Sequence, residues 1–321
     1  MPRHDRDDLR ALARDAMRAR GLDPDFPQAV DRQVAAIGGP ASGEGLPDLR
    51  ALPWCSIDND DSRDLDQLTV AITSKGATRL LVAVADVDAL VERGTPIDAH
   101  AALNTTSVYT PAAMFPMLPL RLSTDLTSLN EGEDRAALVI DMTIDQDGSL
   151  TSQSVQRAFV HNHAQLAYPS TGAWLEGGGP IPEKIPKVAG LEENLREQDK
   201  LTRALCERRH EEGALELESI EPRAVFDGDV LTDLRVDAKN RARQLIEDSM
   251  IAANGVTTRY LVDRSFPTFR RIVREPELWP RIVQVAKEHG YSLPGKPDPR
   301  ALSEFLSRMR RKDPLRFPDV S

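Results

Sequence analysis

The stretch Ile57-Asp58-Asn59-Asp60-Asp61-Ser62-Arg63-Asp64-Leu65-Asp66-Gln67 runs directly into Leu68-Thr69-Val70-Ala71-Ile72-Thr73, and this junction decides the reading. Leu68 to Thr73 alternates as a strand, and Arg79 to Val87 is a nearly continuous apolar and β-branched strand. Ser74-Lys75-Gly76-Ala77 between them has hairpin-turn composition. Ahead of the first strand, five aspartates fall in the nine positions from Asp58 to Asp66. Hard oxygen ligands are thereby concentrated on a loop tied at one end to a rigid element. Left alone the charges repel, so a cation is their natural compensation. A calcium loop of the EF-hand type would need Gly at its sixth and Glu at its twelfth position. Counted from Asp58 those positions hold Arg63 and Thr69, so that loop fails. Mg²⁺-type chemistry and a merely solvated acidic loop both remain open from spacing alone.

Working outward, Ala136 to Ile144 and Leu150 to Val160 form a second strand pair around Asp147-Gly148, a dipeptide suited to a tight turn. From Leu191 the apolar period becomes helical, Arg241 to Asn254 reads as another helix, and so does the tail from Leu278. The predicted class is α+β, a mostly antiparallel sheet with helices gathered late in the chain. The first 45 residues carry Leu9, Leu12, Ala13 and Met17 at helical spacing, a break at Gly21 and a second helix from Phe26. They read as a small helical module, either of helix-turn-helix or winged-helix type or a simple cap on the core. The small-residue stretch Gly38 to Gly45 is its expected boundary, leaving 46–321 as the main domain.

The 321 residues carry 41 Lys+Arg against 51 Asp+Glu, a net charge of -10 that argues against a generic nucleic-acid binder. The segment from Arg270 to Ser321 nevertheless holds 12 basic and 7 acidic residues, a local surplus that suits either a solvated helical face or one wall of a polyanion channel. No apolar run approaches the roughly 20 residues of a membrane span, and the polar start predicts no signal peptide, so the expected location is cytoplasmic. Cys55 and Cys206 stand alone, which excludes a disulfide framework and a structural zinc set. His161 and His163 share a face without a third ligand, and Cys55 has no histidine base in reach, so neither zinc nor a thiol nucleophile is assigned.

The pattern Ile57-Asp58, five residues, Asp64-Leu65-Asp66 resembles the active-site signature of the RNB domain in the ribonuclease II and ribonuclease R family. Further blocks follow in that family's order: Ala83-Val84-Ala85-Asp86-Val87, Thr95-Pro96-Ile97-Asp98, Thr106-Ser107-Val108-Tyr109, Phe115-Pro116-Met117-Leu118-Pro119 with Leu122-Ser123 and Ser128-Leu129, and Ile246 to Asn254. The resemblance implies a monomeric, hydrolytic 3'-to-5' exoribonuclease that degrades single-stranded RNA to nucleoside 5'-monophosphates with Mg²⁺. It makes Asp58, Asp64 and Asp66 the metal-binding and catalytic carboxylates. Gln67 stands at the fourth family aspartate, a neutral donor in place of a charged one.

By the same resemblance Tyr109 lies beside the terminal nucleotides and sets the end-product length. Tyr168 and Glu247 read the ribose, although Glu247 is also placed to form an i, i+4 pair with Arg243. Leu217 stands where the family carries an aromatic base clamp, which predicts a looser grip and less processive degradation. The family's arginine motif and OB-fold are not found before Ser321, so either a further C-terminal part of the same protein or another polypeptide is expected to supply them. The competing class is a degenerate member that binds RNA without cutting it.

Overall fold

The computed structural model describes residues 6–74, 77–215, 222–236, 239–268, 276–313 and 317. Two helices open the chain, α1 (Arg6–Ala19) and α2 (Gln28–Ala36). A six-stranded sheet follows, built from β1 (Cys55–Asp58), β2 (Gln67–Ser74), β3 (Ala77–Ala85), β6 (Asp134–Ile144), β7 (Leu150–His161) and β8 (Ala164–Ala167). Between β3 and β6 the chain forms α3 (Pro96–Asn104) and the two-residue strands β4 (Val108–Tyr109) and β5 (Met114–Phe115). After β8 come α4 (Tyr168–Leu175), α5 (Leu191–Glu211), the hairpin of β9 (Pro222–Asp227) and β10 (Val230–Val236), and α6 (Arg241–Asp263). The chain continues through α7 (Trp279–Glu288) and α8 (Pro299–Lys312).

The sheet order is β7-β6-β3-β2-β1-β8, with every neighbouring pair antiparallel except β1 and β8. The hairpins β2–β3 and β6–β7 form where alternation and turn residues place them. The fold is α+β with a mostly antiparallel sheet, and its one parallel pair joins two four-residue strands too short to show a period. That pair sets Asp58 opposite Ala167, so the start of the acidic loop lies beside the residue that precedes Tyr168.

Both faces of the sheet are buried. Trp54, Leu65, Leu68, Val70, Leu81 and Val139 belong to one core. On the other side α5 and α6 pack with Leu80, Val82, Ile140, Met142, Leu201 and Val256. Because β1 is short, β2 outruns it and leaves the polar groups of Ala71 without a strand partner. Asn194 of α5 answers both, accepting from the Ala71 amide at 3.0 Å and donating to its carbonyl at 2.6 Å.

The first helices are packed onto the sheet domain. Val30 of α2 is buried with Val91, Ile97, Leu122 and Leu126, and Arg121 donates to the carbonyls of Val34 and Ile37 at the end of that helix. Within the small-residue stretch from Gly38 to Gly45 the chain passes close to the sheet, since a Cβ on Gly43 would lie 2.5 Å from the Phe159 ring. The tail is helical as expected, and α7 and α8 enclose their own core of Trp279, Leu293, Phe305, Leu306 and Met309.

Candidate active site

The acidic loop is pinned at both ends by strands. Asp58 closes β1, and Gln67 opens β2. Gln67 is buried, and its Nε2 donates to the Ile57 carbonyl at 3.4 Å, so the neutral amide ties the two ends of the loop together. The Asp66 carbonyl accepts from the Ala85 amide at 3.0 Å, and the Leu65 amide donates to Ser128 Oγ at 3.0 Å. Inside the loop, Asp58 Oδ1 accepts from the Asn59 amide at 2.7 Å and from Ser62 Oγ at 3.0 Å. These local bonds favour a turn over an extended strand, which is why the chain can double back within eight residues.

Tyr109 comes to the loop from the β4–β5 hairpin. Its hydroxyl donates to Asp64 Oδ2 at 3.3 Å while its ring stays 69% exposed. The hairpin is stapled by Thr110, whose Oγ1 donates to the Ala113 carbonyl at 2.6 Å and accepts from the Ala113 amide at 3.0 Å. Tyr168 comes from the start of α4, delivered by the β1–β8 pairing. Arg243 of α6 lies over the Tyr168 ring, 4.8 Å from its centre.

The electrostatics place these groups in one neighbourhood. The Asp66 carboxyl titrates above the ordinary carboxylate range, first through lost hydration and then through the negative charges of Asp58 and Asp64. The residue itself remains exposed at the surface. The Tyr109 phenol is raised by lost hydration, then by Asp64, Asp66 and Asp58. Tyr168 is pushed up to about 12, by lost hydration first and then by Asp58, against the opposing pull of Arg243.

Among the described residues no basic side chain forms an ion pair with Asp58, Asp64 or Asp66. Three neighbouring carboxylates supply the hard oxygen donors that a divalent cation prefers. Among the described residues no group of three or more acidic, histidine or cysteine side chains is placed to hold a metal ion by itself. Mg²⁺ does not require one, because it keeps waters and shares substrate phosphates while using one or two carboxylates.

The structure thus brings Asp58, Asp64, Asp66, Gln67, Tyr109 and Tyr168 together. Glu247 lies one turn beyond Arg243, exposed in a cleft of about 310 Å³ with Lys239, Gln244 and Leu215. Leu217 lies outside the described residues. A cleft of about 590 Å³ opens against the acidic loop, lined by Asn59, Asp60, Gln165, Ala167, Ser170 and Lys184. Another cleft, of about 670 Å³, lies between the β6–β7 turn, α5 and α6, and none of the three loop carboxylates lines it. Cys55 is fully buried and its thiol is pushed up to about 12 by that burial, consistent with a packing residue.

Sequence reasoning missed Asn59, Asn240 and the outward reach of Arg243. Asn240 caps α6 by accepting from the Arg243 amide at 3.0 Å, and its Nδ2 donates to the Tyr168 carbonyl at 3.1 Å. An asparagine just before a predicted helix was the available signal for the cap. Nothing in the sequence indicates its second bond.

Fold, loop and aromatic partners together define an α+β domain with an acidic loop set beside two tyrosines. The RNB domain matches residues 47–320, and the chain belongs to that family. Ribonuclease R of Escherichia coli is 35% identical over 300 residues, covering 91% of this chain and 36% of that protein. The chain spans about a third of the length of the curated relatives it matches. Mycoplasma genitalium RNase R, solved with ribose-methylated single-stranded RNA, superposes with a TM-score of 0.84 at 21% identity, over 97% of this chain and 49% of that one. Yeast Ssd1, described as a pseudonuclease, superposes with a TM-score of 0.68 at 15% identity, over 88% and 34%. No described helix is long and apolar enough to cross a membrane.

Proposed function

We propose that this chain carries the catalytic site of a cytoplasmic, monomeric 3'-to-5' exoribonuclease that uses Mg²⁺ to hydrolyse single-stranded RNA to nucleoside 5'-monophosphates. The observation that carries the reading is the contact of Tyr109 with Asp64, which joins an exposed aromatic side chain to the loop that carries Asp58, Asp64 and Asp66. An aromatic face stacks on any base for about 1 to 3 kcal/mol, as degradation without sequence preference requires. Asp58, Asp64 and Asp66 would hold the cation, with Gln67 contributing no charge and remaining occupied in part with the Ile57 carbonyl. The chemistry such an ion supplies when bound is neutralisation of charge on the phosphoryl and leaving oxygens.

The protein's own side chains do the rest. Tyr109 holds the terminal base next to Asp64, Tyr168 and Glu247 select ribose over deoxyribose, and the strand ends fix the carboxylates relative to both rings. Leu217 in the clamp position makes degradation less processive. One observation favours a second reading, an RNA-binding member that no longer cuts: the buried amide of Gln67 where the family places an aspartate.

The test is a gel assay of 5'-labelled single-stranded RNA with Mg²⁺, with EDTA and with Asp66→Asn. Stepwise shortening from the 3' end that requires both Mg²⁺ and Asp66 is the expected result. RNA binding without shortening would transfer support to the second reading.

A further inference from the structure

Resting on the reading above, we propose that Arg243 is a positioning residue that locks the acidic loop to Tyr168. Its guanidinium does two things at once. The planar face covers the Tyr168 ring at 4.8 Å, and one edge donates from Nη2 to Asn59 Oδ1 at 2.9 Å. Asn59 directly follows Asp58, and its amide closes the turn on Asp58 Oδ1 at 2.7 Å, so holding Asn59 holds the first carboxylate of the loop. Both partners lie outside α6, and the Asn59 bond spans 184 residues, so this is a link between elements and not an ornament of one helix.

The helix that carries Arg243 is itself registered on Tyr168. Asn240 caps it through the Arg243 amide and binds the Tyr168 carbonyl. The approach is close enough that a Cβ on Gly172 of α4 would lie 2.6 Å from Asn240 Cγ. Tyr168, Arg243, Asn240 and the Asp58 turn therefore form one connected body at the edge of the site. Only arginine meets both demands on residue 243, because its flat cation stacks while its fork donates sideways; a lysine ammonium is a single point. Supports of this kind set the aim of the groups they hold, and their loss typically costs about ten- to a hundredfold in activity.

The experiment uses the 321-residue protein and two measurements. Hydrogen exchange by mass spectrometry follows the loop peptide over residues 57–63, and steady-state kinetics follow Mg²⁺-dependent shortening of single-stranded RNA. Arg243→Ala and Asn59→Ala should each speed loop exchange about tenfold, as loss of one charge-assisted hydrogen bond implies. Each should lower kcat by about ten- to a hundredfold while KM stays unchanged. The double variant should be no slower than the slower single one, since both remove the same link. Arg243→Lys should recover only part of the loss. Unchanged loop exchange, additive losses in the double variant, or full recovery with lysine would overturn the proposal. If the parent protein shortens no RNA, the exonuclease reading fails, and the exchange measurement alone still decides whether Arg243 holds the loop.

Discussion

Tyr109 and Asp64 are joined by a 3.3 Å hydrogen bond across 45 residues of chain, and the tyrosine ring remains 69% exposed above it. One side chain therefore presents an apolar face to solvent and a polar end to the carboxylate loop. The two properties separate experimentally. Tyr109→Phe keeps the face and should retain RNA affinity, whereas Tyr109→Ala should weaken it by about 1 to 3 kcal/mol, the worth of one stacked base. Fluorescence anisotropy of labelled single-stranded RNA in EDTA reads this directly. Equal losses in both variants would mean that the hydroxyl, not the ring, makes the contact. An exposed ring adds little to the core, so neither change should move Tm appreciably.

The same loop predicts stabilisation by divalent cations. Asp58 and Asp64 raise the cost of ionising Asp66, after its lost hydration, and among the described residues none of the three has a basic partner within ion-pairing distance. A cation that binds only the folded loop stabilises the protein by mass action, about 2.7 kcal/mol at a hundred times its Kd. Tm should therefore rise with added MgCl₂ and fall back with EDTA. Asp64→Asn or Asp66→Asn should remove most of that rise, while Asp60→Asn, on an exposed aspartate that matches no family ligand, should leave it intact. A Tm indifferent to Mg²⁺ in all forms would leave the loop as solvated surface.

How far these relationships could be read beforehand follows from the distance over which each is determined. The β2–β3 and β6–β7 hairpins are local, written in alternation and in Asp147-Gly148, and the acidic loop is conspicuous by charge density. β1 and β8 are four residues each, too short to show a period, and their pairing joins positions more than a hundred residues apart. α4 opens with Tyr168-Pro169 and contains Gly172, so propensity gave little reason to expect a helix there. The contact of Arg243 with Asn59 depends on how α6 lies across the sheet end. In the sequence Arg243 has only Glu247 within helical reach, which is why an ordinary surface pair was as good a reading as any.

Asp134 gives a pH dependence of known sign. Loss of hydration alone would raise its carboxyl, but hydrogen bonds from Arg50 at 2.8 Å and with His161 at 2.6 Å, together with their charges, hold it below the usual carboxylate range. A carboxyl lowered by folding contributes stability above its unfolded pKa and loses it as pH falls through the folded value. Asp134→Asn should therefore destabilise the protein at neutral pH and become indistinguishable from the parent in acid. The side chain is 38% exposed, so solvent screening limits the effect to about 1 kcal/mol or less. Urea titrations at a series of pH values test it, and a difference that grows toward low pH would contradict the assignment.

Two glycines of similar crowding should behave differently when replaced by alanine. At Gly148 the backbone has φ +77° and a new Cβ would lie 2.4 Å from the Ala204 carbonyl oxygen, so Gly148→Ala meets both a disfavoured conformation and an immovable backbone atom. It should cost stability, by about 1 to 3 kcal/mol, without altering the kcat of the folded fraction. Gly172 lies inside α4 with ordinary helical backbone, where alanine gains up to about 1 kcal/mol of helix propensity. There the clash is with the Asn240 side chain, whose displacement costs a helix cap of about 1 kcal/mol. The two terms nearly cancel, so Gly172→Ala should leave Tm close to the parent value. It should still lower kcat, because Asn240 also holds Tyr168 and the end of α6 that carries Arg243. Measuring Tm and RNA-shortening rates for both variants separates fold from site, and a Gly172→Ala protein of unchanged kcat would show that Asn240 caps the helix without serving the site.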